Sequence, residues 1–293
     1  TSTRASVGRL LASLGERGSS ALVVIDDAHR ITNHASRDVL AAFVGHLPAL
    51  ARAAIAGRQA IELPVAAWRA RGEMLEFGPT ELAFDEREAA ELVRGHGLRL
   101  TDDAIRRITA QTEGWPALTM LAAITVARRG EGAGVHVSAA DLPIADYLRL
   151  EVLERQTPER ARFLKETSIL EHLSGPLCDA VTGGPDSATT LRHLAHSTVL
   201  IDAYGGRYRY HPLLREFLLE ELQAQDPQLV IGLHQRASVW YESAGDLDTA
   251  IRHAFAAGDL DRAATLLSVS FLQQFWTARH AALGTAEPHQ AAD

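Results

Sequence analysis

The chain has 293 residues, 46% apolar and 23% charged, with 29 basic against 37 acidic side chains and a net charge of −8. That length suggests two or three domains with their own cores, and no run of 18 apolar residues offers a membrane span. The acidic balance argues against a dedicated duplex-binding surface, which needs a basic face to neutralise phosphates. A single cysteine, Cys178, rules out an internal disulfide and a cysteine-rich metal site, and a reducing cytoplasm is the expected compartment. The opening residues have no signal-peptide layout, and a start without Met inside a helical pattern reads as a piece of a longer chain.

Residues 5–18 space Val7, Leu10, Leu11 and Leu14 as a helix would. The run 21–26 ("ALVVID") reads as a short strand buried on both faces, the kind found in parallel sheets. It ends in two adjacent carboxylates, Asp26 and Asp27. A helix around 36–49, a second strand at 53–57 ending at Arg58 and a short third strand in "EMLEFG" (73–78) continue an α/β rhythm. From about residue 80 the pattern turns helical, with three helices in "TELAFDEREAAELVRGHG", "LTDDAIRRITAQTEGWP" and "ALTMLAAITVARR". Residues 130–143, rich in Gly and small side chains, read as a linker.

A different module follows. Helices are predicted at about 144–156 and 158–171, then in "SGPLCDAVTGG" and "DSATTLRHLAHS". "TVLIDAYGGRYRYHP" alternates and turns on Gly205-Gly206, a hairpin signal, before Pro212 opens another helix. Helices followed by a hairpin form a winged-helix layout. The helix "DSATTLRHLAHS", in the place of a recognition helix, carries one Arg and the wing tip two, too few cations for a phosphate-neutralising interface. The last third is helical, and "AGDLDTAIRHA" (244–254) recurs 13 residues later as "AGDLDRAATLL" (257–267), the sound of a helical-hairpin solenoid. Beyond residue 280 the sequence reads as a frayed or foreign tail.

Four apolar residues ending in an acid describe a Walker B strand. A buried parallel strand delivers its terminal carboxylate to the sheet edge where ligands sit. There one acid serves a Mg²⁺ shell and a second orients water. The competing reading is a strand running into an Asp-rich turn. Gly114-Trp115-Pro116 lies between two helices. His211 sits where a strand meets a helix N-terminus, an anion-favouring place, or else it is a capping and packing histidine. His29, His34 and His46 show no metal-ligand spacing and read as surface histidines. Trp115 fills a helix junction or stacks on a base, Trp240 and Tyr241 pack the first arm helix, and Cys178 is a small core residue.

Taken in order, "LVVIDDAHRITN", "RGEMLEFGPTELAFDEREAAEL", "TEGWPALTMLAA", "DYLRLEVLERQTPERARFLKETSIL", "YRYHPLLREFL" and "LHQRASVWYESAGDLDTAIRHAFAAGD" resemble the STAND-class signal-transduction ATPase core of MalT-like regulators, large members of the LuxR family. The resemblance runs from about residue 5 to 270. It implies an α/β fold followed by a mainly α region. Residues 1–79 would be the C-terminal part of a P-loop NTPase (AAA+/STAND-like) nucleotide-binding domain, with Walker B and sensor 1. Residues 80–140 would be a helical lid carrying a Gly-x-Pro motif, and 141–222 a winged helix that does not bind DNA. Residues 223–293 would begin a TPR-like helical-repeat arm.

By the same resemblance the cofactors are ATP or ADP with Mg²⁺. Asp26 is the magnesium acid, Asp27 the water-activating acid and Arg58 the sensor of the γ-phosphate. Gly114, Trp115 and Pro116 lie against the adenine, and His211 touches the ADP β-phosphate and locks the resting form. The partners implied are an inducer on the arm, self-association, and DNA through a helix-turn-helix reader that this chain lacks. The chain departs from the family in one chemical respect: no G-x-x-x-x-G-K-[S/T] loop precedes Leu22, and the sole lysine, Lys165, stands elsewhere. Most of the phosphate cradle is therefore missing. The expectation is a nucleotide-responsive switch segment with ATPase ancestry and no turnover of its own. The alternatives are a helical protein-interaction scaffold without nucleotide binding and a winged-helix DNA-binding repressor.

Overall fold

The computed structural model describes residues 2–16, 18–57, 63–197 and 200–284. Among the described residues the fold is mostly helical, with two small sheets. In chain order the first elements are α1 (Ser2–Glu16), β1 (Ala21–Ile25), α2 (His34–Gly45), β2 (Ala51–Ile55), α3 (Val65–Ala70) and α4 (Pro79–Leu82). Three helices follow, α5 (Glu86–Gly95), α6 (Asp102–Gln111) and α7 (Pro116–Arg129). Then come α8 (Leu142–Leu148), α9 (Pro158–Thr167), α10 (Gly175–Thr182), α11 (Ser187–Ser197), β3 (Ile201–Tyr204), β4 (Arg207–Tyr210) and α12 (Pro212–Gln225). The last helices are α13 (Pro227–Ser243), α14 (Leu247–Ala256) and α15 (Leu260–Gly284), over the stretch expected to form the arm. The chain divides into two compact units, one reaching to Ala83 and including the segment from His193, the other made of Phe84–Arg192 and the chain from Leu200.

In the first unit β1 and β2 pair in parallel, with Ala21 opposite Ala51 and Ile25 opposite Ile55. Two expectations fail here. The strand expected to be buried on both faces is covered on one: Leu22 and Val24 are 65% and 66% exposed, while Val23 and Ile25 are half-buried. With only two strands in its sheet, no described element covers the Leu22/Val24 face. The third strand expected at 73–78 is not formed either. Glu73 and Glu76 are engaged with Arg71 and Arg69, at 2.8 and 2.5 Å, and Leu75 and Phe77 point into solvent. A strand needs a neighbour's ladder, and none is offered among the described residues.

The second unit holds the large core. α5 starts on a capping box between Asp85 and Glu88, and α6 on Thr101, which accepts the Ala104 N–H. Their inner faces, Ala89, Val93, Ile105 and Ile108, pack with Leu118, Ala122 and Val126 of α7, all buried. The stretch 130–143, expected to be a linker, is tied down. The Gln111 carbonyl accepts the Val137 N–H at 3.1 Å, Glu131 accepts two hydrogen bonds from Thr101, and Val137 and Ala139 are buried. Small residues there serve close packing rather than freedom.

α8 continues into a π-helical turn over Arg149–Leu153. α9 to α11, β3, β4 and α12 form the winged helix, and Leu173 adds a bridge to Tyr208 between α9 and α10. β3 and β4 meet through Gly205 and Gly206, both at positive φ (56° and 80°), as a two-residue hairpin turn with the native strand twist requires. α10 and α11 approach so closely that a Cβ on Gly175 would lie 2.7 Å from the Ala188 methyl. Tyr210 is buried, and its hydroxyl shares a 2.7 Å hydrogen bond with Thr167.

In the arm each copy of the internal repeat does the same work. Gly245 and Gly258 end helices at positive φ, and Asp246 and Asp259 accept the N–H groups of Thr249 and Arg262 as helix caps. Ala250 and Ala263, at matching places in the two copies, are both fully buried. The repeat is thus a helix-stop, cap and close-packing alanine, used twice. α15 runs on to Gly284, and the rest of the expected tail lies outside the described residues.

Candidate functional site

Sequence reasoning named seven residues. In the first unit, β1 delivers Asp26 and Asp27 to the C-terminal end of its sheet, both exposed. The ladder closes there, with the Ala56 N–H donating to Ile25 and the Ala28 N–H to Ala56, both at 2.9 Å. Asp26 turns back so that its carboxylate accepts the Asp27 N–H at 2.7 Å. Asp27 adopts the left-handed conformation (φ 50°, ψ 32°) that precedes the short 3₁₀ turn Ala28–Arg30, with His29 3.8 Å from its carboxylate. Asp tolerates that backbone better than most residues. Arg58 lies outside the described residues. Among the described residues no three His, Cys, Asp or Glu side chains group as a metal site. His34 pairs with Asp38 on the surface, and His46 bonds to the Ala42 carbonyl on its own helix.

In the second unit the structure brings Gly114, Trp115, Pro116 and His211 to one junction, although His211 is about a hundred residues downstream. α6 ends at Thr112, and the chain reverses through two consecutive left-handed residues, Glu113 (φ 47°) and Gly114 (φ 70°). The Gly114 N–H donates to Thr109 and the Trp115 N–H to Thr112, at 2.9 and 2.8 Å. Pro116 occupies the first position of α7, where its missing N–H costs nothing. Beneath the turn the buried hydroxyls of Thr112 and Thr119 share a 2.7 Å hydrogen bond. Trp115 is half-buried and its indole N–H reaches the Tyr147 hydroxyl at 3.4 Å, which fixes the ring at the α7–α8 junction.

The wing clamps this turn. Arg209 of β4 grips the Glu113 carboxylate with both terminal nitrogens, at 2.7 and 3.0 Å, and holds Asp202 of β3 at 2.8 Å. Glu113, held at positive φ without being glycine, is therefore fixed by a bidentate ion pair from 96 residues away. Each of these charges keeps part of its surface in water, so the clamp positions more than it stabilises.

His211 caps α12. Its Nδ1 accepts the Leu213 N–H at 3.2 Å, so in the neutral ring the proton sits on Nε2. The residue is only 5% exposed, and Nε2 is the one buried side-chain polar atom without a hydrogen-bond partner among the described residues. Burial pushes its pKa below the usual histidine value, against the opposing pull of the nearby Thr112 carbonyl and the Glu113 charge. The Thr112 carbonyl lies close enough to pull on the ring without closing a hydrogen bond of ordinary geometry, which leaves the Nε2 proton open to a better-placed acceptor.

Cys178 is buried and its thiol is pushed up to about 12 by burial, a core residue without nucleophilic character. Sequence reasoning missed Glu113, Arg209 and Asp202. The one local signal was the opposite charge of Asp202 and Arg209, which register places directly across the hairpin. It also missed the pair His234 and His253, 19 residues apart on different helices, which no periodicity links.

Residues 149–230 match the MalT winged helix domain. The serine/threonine-protein kinase PknK of Mycobacterium tuberculosis is 30% identical over 264 residues, which is 88% of this chain and 24% of that protein. The HTH-type transcriptional regulator MalT of Vibrio cholerae is 30% identical over 275 residues, 88% of this chain and 30% of its own length. MalT of Klebsiella pneumoniae is 30% identical over 285 residues, 92% of this chain and 30% of its own. The chain thus spans 24–30% of the length of these relatives. A Walker-type ATPase of Pyrococcus abyssi is similar in structure, at 18% identity and a TM-score of 0.49 over 72% of this chain and 66% of that one. The chain is thus similar to the MalT winged helix domain at 149–230 and to MalT proteins along most of its own length.

Proposed function

We propose that this chain is the nucleotide-responsive switch segment of a longer MalT-like transcriptional regulator. The observation that carries this reading is the buried, unpartnered Nε2 of His211, set beside the clamped turn Glu113–Pro116. An imidazole N–H at a helix N-terminus is suited to a phosphate oxygen, and Gly114, Trp115 and Pro116 present a flat, partly apolar surface suited to a base. In this reading ADP favours the resting form by engaging His211, and an inducer on the arm together with ATP favours a second form competent for self-association. Each ligand shifts the population towards the state it binds better. DNA is reached through a reader outside the residues present.

Asp26 is assigned to magnesium, Asp27 to the attacking water and Arg58 to the γ-phosphate. Two carboxylates, one of them already accepting a backbone N–H, cannot fill the coordination of a hard cation. Asp26 therefore holds Mg²⁺ only together with nucleotide oxygens. The missing P-loop lysine predicts that the isolated chain shows no ATP turnover and only weak nucleotide affinity. The similarity of this chain to a segment of the kinase PknK supports a sensing role separable from any one output.

Calorimetric titration of ADP tests the reading. Binding near the millimolar range is expected, about tenfold weaker in His211→Ala, as suits the loss of one hydrogen bond to a charged group. Equal affinity in both proteins, or magnesium-dependent turnover abolished by Asp26→Asn, would contradict it. A salt-independent absence of duplex binding in a gel shift is expected; a shift that weakens steeply with salt would favour the repressor reading.

A further inference from the structure

Between the winged helix and the helices that follow it lies a cavity of about 570 Å³, within the range of small-molecule sites. Its wall is formed by the segment after α9, by β4, α12, α13 and α14, all within the second unit. Two imidazoles meet there: His234 and His253 lie Nδ1 to Nδ1 at 2.8 Å, and the Tyr241 ring stacks on His253 with centroids 5.4 Å apart. One nitrogen of the pair must carry a proton and the other must accept it. Arg215 and Arg252 face the same space.

The carboxylates of this wall are already engaged. Asp246 caps α14 through the Thr249 N–H at 3.0 Å, and Glu171 lies 3.7 Å from Arg252. Arg215 spends its Nε on the Ser168 carbonyl at 3.0 Å, and among the described residues no carboxylate pairs with its guanidinium. The cavity gathers three guanidiniums, of Arg207, Arg215 and Arg252, against two carboxylates, Glu171 and Asp246, with the His234–His253 pair and an aromatic flank at Trp240 and Tyr241, so its wall carries an excess of positive charge. We infer that this cavity binds a small anion through a phosphate or carboxylate head group, held by Arg215, Arg252 and the His234–His253 pair. The inference stands apart from the nucleotide reading, because none of these residues belongs to the His211 junction.

Burial and Arg215 push His234 below its ordinary pKa, while burial, the neighbouring His234 and the two arginines push His253 to about 4. The charged or titratable groups facing them are Arg207 from β4, Arg215 from α12, Glu171 and His172 after α9, Tyr241 from α13, and Asp246 and Arg252 around α14. An anion beside the pair reverses the repulsion, so binding draws a proton onto it.

The test is calorimetry of the whole chain at pH 6 with inorganic phosphate, glucose 6-phosphate, citrate and, as the neutral control, glucose. The phosphate and carboxylate arms separate the two sources of the head group. Expected are binding by at least one anion and none by glucose, proton uptake seen as a buffer-dependent enthalpy, and at least tenfold weaker binding in Arg215→Met. Should that variant fail to fold, judged by its circular dichroism, Arg252→Gln and His253→Gln replace it with the same expectation. ADP affinity at His211 stays unchanged in these variants, which separates failure here from failure of the nucleotide reading. The inference is overturned if no anion binds, if glucose binds as well as its phosphate, or if affinity and proton uptake survive the substitutions.

Discussion

The two units of this chain are built on opposite terms. The first offers a two-stranded sheet with Leu22 and Val24 bare on one face, and Asp26 and Asp27 stand exposed at the strand end. The second buries whole helix faces, closes its hairpin against a helix, and places its candidate histidine behind an ion-paired clamp. The contrast shows where the chain's own residues suffice. Geometry at the His211 junction is determined by Glu113, Arg209, Asp202 and Thr112, whereas β1 delivers its acids to an edge whose surroundings the described residues do not complete.

The largest test of that asymmetry is packing. Leu214, fully buried in α12, should cost about 2–5 kcal/mol when changed to Ala, whereas Val24→Ala on the bare face of β1 should change stability by about 0.5 kcal/mol or less. Urea denaturation followed by circular dichroism reads both. Equal losses would mean that β1 is covered after all.

Next comes pH. The folded pKa of His253 is about 4, below its unfolded value near 6.5, so the neutral ring's contribution is complete above that unfolded value. Stability should fall by up to about 3 kcal/mol as pH drops from 6.5 through 4, with His234 shifted in the same direction. His253→Gln should flatten melting temperature against pH over that window; an unchanged slope would show that other groups carry it.

Gly175→Val should cost roughly 1–3 kcal/mol, because its side chain meets Ala188 where α10 and α11 touch. Tyr210→Phe removes the bond to Thr167 and should cost about 1 kcal/mol, leaving the core volume intact. Arg209→Met should be the mildest for stability, under about 1 kcal/mol since its partners keep part of their surface in water, yet it should loosen the Glu113 turn. Faster hydrogen exchange at Gly114 and Trp115 with little change in melting temperature is the expected signature.

What could be read from the sequence was what is local. Thr101, Asp246 and Asp259 announce helices within three residues, and Gly205-Gly206 announces the hairpin, because cap and turn geometry depend on neighbours in sequence. "EMLEFG" misled because alternation promises a strand only where another strand offers a ladder, and here Arg69 and Arg71 take the glutamates instead. The stretch 130–143 misled for the converse reason: Gln111 and Thr101, far upstream, turn a glycine-rich segment into packed structure. Gly114–Pro116 and His211 were legible singly. Their meeting was not, since Arg209 and Glu113 are 96 residues apart.

The most direct test of the central claim is the His211 ring itself, followed by proton–carbon NMR while ADP, and then AMP, is added. ADP should move the His211 ring signals and raise the ring's pKa towards its ordinary value, as a phosphate beside Nε2 requires, and AMP, without a β-phosphate, should move them far less. Signals that ignore ADP at millimolar concentration, or that respond equally to both nucleotides, would contradict a phosphate role for His211.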